Sequence, residues 1–139
     1  MTDVKTYSSK QVLISLGSHP VTGPADGDFI SIEPNADGVT KVVGAYGEVV
    51  RSMSPDETFN ITLTLLMQSP TVKWCQEQFD KDRKTGDGLF PMLVKDMKGG
   101  VIFSTEQAWI ANSPALSYGI EASTREISIQ TGSGTYKYE

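Results

Sequence analysis

The run Thr58-Phe59-Asn60-Ile61-Thr62-Leu63-Thr64-Leu65 alternates polar and apolar residues without an error. A period of two marks a strand with one buried face. Phe59, Ile61, Leu63 and Leu65 are therefore expected in a core, and Thr58, Asn60, Thr62 and Thr64 on a wet face of short, mostly β-branched side chains. The chain around this run is rich in further strand signals. Gln11 to Leu16, Phe29 to Glu33, Val39 to Val43, Glu48 to Met53, Phe90 to Lys95, Val101 to Thr105, Tyr118 to Glu121 and Arg125 to Gln130 all read as short strands, with Ala108 to Ala111 as a possible extension. Between them stand turn formers. Residues 17 to 28, with Pro20, Gly23, Pro24, Asp26, Gly27 and Asp28, read as an exposed loop. Pro34-Asn35-Ala36-Asp37-Gly38 predicts a hairpin joining 29–33 to 39–43, because Asp-Gly supplies the positive φ such a turn needs.

One helix interrupts this pattern, over about residues 70–84. Ser69 is suited to cap it, Pro70 to its first turn, and Gly86 or Gly88 to its end. Val72, Cys75, Gln76 and Phe79 fall on one stripe, opposite Lys73, Glu77, Asp80, Lys81 and Lys84, with Glu77 and Lys81 spaced to pair. The 139 residues are one domain's worth of chain. The expected architecture is mainly β: two packed antiparallel sheets, as a sandwich or partly closed barrel, with the helix on the outside.

Composition narrows function by exclusion. The formal net charge is −5 and the pI about 4.8, and no cationic cluster exceeds the mixed run Lys81 to Lys84, which argues against a tight grip on phosphates. No apolar run approaches the roughly 20 residues of a membrane span. The segment Met1 to Lys5 lacks a signal-like apolar stretch, and the single cysteine, Cys75, has no internal partner, so synthesis in a reducing cytoplasm is expected. His19 is the only histidine, which rules out a two-histidine zinc site and leaves no base for Cys75. His19 is expected on an exposed loop and Cys75 in the packing of the helix. Asp26-Gly27-Asp28 lacks the remaining ligands of a calcium loop, and Gly86-Asp87-Gly88 and Gly132-Ser133-Gly134 lack the features of phosphate-binding loops. Glu33, Glu48, Glu106, Glu121 and Glu126 are the carboxylates left for acid-base pairing, with nothing to single out a pair. Trp74, Trp109, Tyr118, Tyr136 and Tyr138 read as packing or interface anchors. They are also the residues a monomeric β-sandwich ligand-binding module would use. No catalytic residue, cofactor or metal is expected.

Several segments in order carry a resemblance: Tyr7-Ser8-Ser9-Lys10-Gln11-Val12, Gly27-Asp28-Phe29-Ile30-Ser31-Ile32, Val39 to Val43, Gly47-Glu48-Val49-Val50-Arg51-Ser52, Phe59-Asn60-Ile61-Thr62-Leu63 leading into the Ser69-Pro70 helix, and Phe90-Pro91-Met92-Leu93-Val94-Lys95-Asp96. Over nearly its full length the chain resembles the short tail-tube proteins of contractile-tailed bacteriophages, which are related in fold to the haemolysin-coregulated tube protein of type VI secretion. The resemblance implies a structural subunit, not an enzyme. It implies six-membered rings of identical copies, stacked into a hollow tube in the virion tail, through which DNA passes unbound. Sheath, baseplate and tape-measure proteins are then the implied partners, and a type VI-like tube is the alternative within the same class. Thr58, Asn60, Thr62 and Thr64 become candidate lumen-facing residues, and Pro34, Asn35, Ala36, Asp37, Gly38, His19 and Pro20 candidate ring-stacking positions. Lys41 and Arg51 fall among the strands that the resemblance brings toward the channel, a departure from the pattern, since a cation there would attract phosphate.

Overall fold

The computed structural model describes residues 4, 6–25 and 27–138; Asp26 and most of the Met1 to Lys5 segment lie outside them. In chain order the strands are β1 (Val12–Leu16), β2 (His19–Pro20), β3 (Ile30–Pro34), β4 (Val39–Val43), β5 (Val49–Met53), β6 (Phe59–Leu66), β7 (Phe90–Asp96), β8 (Val101–Ile110), β9 (Thr124–Thr131) and β10 (Gly134–Tyr138), with helix α1 (Pro70–Thr85) between β6 and β7. The main sheet runs β2-β1-β7-β8-β9-β6-β3, and β10 joins it along β8. β4 and β5 make a second, two-stranded sheet. Every pairing between these strands is antiparallel. The mainly β architecture with two sheets and one helix is the one expected from the sequence.

The main sheet becomes a sandwich at one place in β8. Phe90 pairs with Ala108 but Met92 with Thr105, so β8 carries an extra residue there. The burial alternation skips at the same point, where Glu106 and Gln107 are both exposed. A bulge of this kind bends a strand. Residues 101–105 of β8 lie between β7 and β10, while 108–110 pair with β9. The two halves of the sheet thus face each other through the bend. Phe59 of β6 reaches Phe103 of β8 at 5.0 Å and Tyr136 of β10 at 5.2 Å between ring centroids, although neither strand neighbours β6.

The core between the halves is the apolar set predicted from alternation. Ile61, Leu63 and Leu65 of β6 are fully buried with Ile127 and Ile129 of β9, Leu16 of β1 and Ala108 of β8. Each large aliphatic side chain hidden in this way contributes on the order of 1.5–3 kcal/mol. Helix α1 closes the side of the sandwich near the end of β6. Ser69 caps it, accepting from the Thr71 N–H at 3.2 Å and donating its hydroxyl to the Thr22 carbonyl. Gly23 lets that loop come so near, since a Cβ there would sit 2.8 Å from Ser69 Cβ. The helix ends at Gly86, whose φ of 71° is the left-handed C-cap that glycine adopts without strain. Cys75 is fully buried. Glu77 reaches back to Lys73 at 4.0 Å rather than forward to Lys81.

Four expectations are corrected. The hairpin joining 29–33 to 39–43 does not form: β3 pairs with β6, and β4 with β5. Gly38 is not among the positive-φ glycines, so the Asp-Gly turn is absent; Gly47, with φ of 90°, turns the chain between β4 and β5 instead. β3 gains more beside β6, where Ile30 and Ile32 pack against the core. Tyr118 to Glu121 is irregular, not a strand. Ala108 to Ile110 continues β8, and Gly134 to Tyr138, expected as a turn and tail, is paired strand β10. His19 is not on a free loop. It is half-buried in β2, opposite Leu16.

Candidate functional site

Cross-strand pairing assembles the polar residues of β6 into a broader face. Asn60, Thr62 and Thr64 lie opposite Gln130, Ser128 and Glu126 of β9. On the other side, Ser31 and Glu33 of β3 lie opposite Thr62 and Asn60, and directly opposed residues share a face. Trp109 of β8 extends the row beside Gln130. The resulting surface is made of hydroxyls, amides, two carboxylates and the Trp109 indole, with Leu66 exposed at its end. Among the described residues of this face on β3, β6 and β9 there is no lysine or arginine. Of the four predicted residues, Asn60, Thr62 and Thr64 share it and Thr58 stands just before β6, each partly exposed. Its two carboxylates are not paired for catalysis: Glu33 stands beside Asn60 and Glu126 beside Thr64, with β6 between them.

At the Phe59 end of β6 the chain leaves for the two-stranded sheet. Asn35 ties the departure point down, giving its N–H to the Thr58 carbonyl at 3.1 Å and its side-chain amide to the Thr58 hydroxyl at 2.9 Å. Thr58 in turn donates its hydroxyl and N–H to Asp56 at 2.6 and 3.0 Å, which holds that exposed carboxyl below its ordinary value. The Ser54 N–H donates to the Gly38 carbonyl at 2.9 Å. Beyond this root, β4 and β5 form an arm exposed at every residue. Val42 and Val50, opposite each other on one side, are 65% and 64% exposed; Val39, Val43, Val49 and Met53 occupy the other side with Lys41 and Arg51. Lys41 faces Arg51 directly, and no carboxylate pairs with either among the described residues. Both cations therefore sit on the arm, in a different sheet from the polar face.

His19 and Pro20 lie elsewhere. His19 stacks on Trp74 of α1 at 5.2 Å and its Nε2 meets the Thr71 hydroxyl at 3.0 Å, near the Leu66 end of β6. Pro34 to Gly38 flank the opposite end, so the predicted stacking positions do not form one surface. The loop between them is also partly secured, with the Leu66 N–H donating to the Gly23 carbonyl and the Ala25 N–H to the Thr64 carbonyl.

Arg125 escaped the sequence reading. It is 2% exposed, on the inward phase of β9 with Ile127 and Ile129, and that shared phase was the available signal. One guanidinium nitrogen donates to the Ser123 hydroxyl at 2.9 Å and the Thr124 carbonyl at 3.1 Å, with the Ser117 carbonyl at 3.4 Å. Tyr118 covers the guanidinium at 5.1 Å, a cation–π contact. Arg125 thus organises the irregular segment 112–123, which holds Tyr118 where a strand was expected. Burial pushes the Cys75 thiol up to about 12, so it is neutral and inert at ordinary pH. Among the described residues no group of three or more His, Cys, Asp or Glu side chains is placed to hold a metal, and no helix is long and apolar enough to cross a membrane.

No protein-family model matches the chain. It is similar to structural protein ORF10 of Pseudomonas phage KPP10, 28% identical over 141 aligned residues that cover 96% of this chain and 82% of the relative. Its fold is that of subunits in contractile assemblies. The tube-terminating cap of the anti-feeding prophage superposes with a TM-score of 0.68 at 13% identity, covering 100% of this chain and 95% of that one. The sheath/tube terminator of an extracellular contractile injection system gives 0.71 at 10% identity, over 98% and 99%. The sheath-tube complex of such a system gives 0.63 at 10%, over 96% and 93%. These relatives are structural proteins of phage and injection systems, not enzymes.

Proposed function

We propose that this chain is a tube-type structural subunit of a phage tail, forming rings of identical copies that enclose a channel and stack along it. The polar face of β3, β6 and β9 carries this reading. A channel that passes DNA needs a wall without cations to condense on phosphate and without apolar patches to bind bases, and an acidic wall repels the polyanion at close range. Thr58, Asn60, Thr62 and Thr64 then point into the lumen, with Glu33 and Glu126 beside them. The free edge of β3 supports the same reading. Among the described residues no strand pairs with it, its Ile32 carbonyl taking only the Tyr136 hydroxyl at 3.3 Å, and a neighbouring copy in a ring would use up that edge, removing an aggregation hazard. Six-fold ring symmetry, contacts with sheath, baseplate and tape-measure proteins, and a place in the virion tail complete the proposal.

A second reading has its own support. Two of the structural neighbours are a tube terminator and a terminating cap, and a chain of that kind would close a tube with one ring rather than build its length. Electron microscopy of purified protein across a concentration series separates the readings. Hollow filaments of many rings support the tube subunit, single rings that never elongate support the terminator, and a monomer at every concentration and salt overturns both. Thr62→Lys provides a test of the lumen assignment: filaments carrying it should retain DNA that wild-type filaments release, and equal retention would place this face outside the channel.

A further inference from the structure

Among the described residues, two unpartnered apolar surfaces lie at opposite ends of β6. The first is the β4–β5 arm, rooted at Thr58. The second is a groove of about 610 Å³ at the Leu66 end, between the first turns of α1 and residues 113–116, lined by Met67, Pro70, Val72 and Leu116 together with Lys73 and Glu77. Leu116 is 67% exposed there. The eight residues of β6 separate the two by about 26 Å at the rise of an extended strand. We propose that the groove receives the β4–β5 arm of a second copy of this chain, a contact that rests on the tube reading and gives it a direction.

Charge favours this occupant. Within residues 39–53, Lys41 and Arg51 stand against Glu48 alone, a net of +1, whereas the whole chain carries −5. The groove offers Glu77, held only at 4.0 Å by Lys73, with the two side chains 64% and 83% exposed. So loose a pair is easily exchanged for the Lys41–Arg51 couple. Apolar surface acts in the same sense: Val43 and Val49, on the side of the ribbon that carries Lys41 and Arg51, are 56% and 58% exposed and would be covered by Met67, Val72 and Leu116. Because arm and groove are different patches at different ends, the contact is heterologous and leaves a fresh arm at one end and a fresh groove at the other. Repetition extends a stack without limit.

A cross-linking experiment on the full-length protein tests this. Val43→Cys and Leu116→Cys are made separately, one with a size tag, both at exposed positions where folding is not at stake; the buried Cys75 stays silent. With a flexible bis-maleimide, the mixture should yield a tagged–untagged dimer that neither variant yields alone, and the double variant a ladder of multimers. Dimers from Val43→Cys alone would mean that arms pair with arms. Monomers cross-linked internally in the double variant would mean that the arm folds onto its own groove. Either result overturns the proposal. Filaments in the microscope without a mixed cross-link would refute the groove while leaving the tube reading intact, and absence of wild-type rings as well would refute both. Independently, Leu116→Asp should abolish elongation but spare rings; filaments of normal length would overturn the assignment.

Discussion

β6 and the β4–β5 arm are built from similar β-prone residues, yet one is the most buried strand in the molecule and the other is exposed throughout. The difference lies in pattern. In β6 Phe59, Ile61, Leu63 and Leu65 point the same way, so a single packed layer hides them while hydroxyls and an amide stay outside, Leu66 at the strand's end being the one apolar residue on the outer phase. In the arm, valines occupy both sides of the ribbon, and one layer on either side leaves the other uncovered. A two-stranded ribbon without a partner is marginal in water. Strands satisfied within the chain therefore make the fold, and strands left unsatisfied are the ones that the proposed contact between copies would cover.

This contrast breaks first at Leu63. Leu63→Ala, in the fully buried row of β6, should cost about 2–5 kcal/mol in denaturant unfolding; a loss under 1 kcal/mol, on the same scale, would mean that the sandwich does not depend on that row. Arg125→Met comes next. It leaves the Ser117 and Thr124 carbonyls without their donor, for a loss of about 1–3 kcal/mol, and should speed proteolytic nicking within residues 112–123. Unchanged nicking would show that the segment holds its shape without the guanidinium. The arm should respond least: Val43→Thr is expected to shift subunit stability by under about 0.5 kcal/mol while lowering filament yield, and a large loss in the subunit alone would put the arm in the core. Asp56, at the arm's root, sharpens the comparison through pH. Its folded value lies below 3.8, so the stability it contributes is present above that value and lost as the pH falls through the folded one. The difference between wild type and Asp56→Asn should accordingly shrink as the solution is acidified below pH 3.8; a difference that grows on acidification would contradict the hydrogen-bonded root.

What was legible followed from local rules. Ser69, Pro70 and Gly86 bracketed the helix because capping is decided within a few residues, and alternation located β6, β9 and their core faces. Partnership was less legible. Asp37-Gly38 suggested a local hairpin, but β3 pairs with a strand far along the chain, because Ile30 and Ile32 gain more beside β6 than beside an arm with no core. Arg125 has the phase of a core residue and the chemistry of a surface one, and only the loop that folds over it reconciles the two. His19 was read from its turn-forming neighbours, while Trp74, which stacks on it, lies a helix away.

The sequence by itself determined which segments are strands or helix and which side of β6 faces water, since side-chain direction follows from backbone periodicity alone. Tertiary structure decided which strands meet, where the bulge in β8 folds one sheet into two layers, and which apolar strands remain without cover. Those outcomes depend on competition among distant partners for the same edges and the same core volume, and no local pattern records who wins.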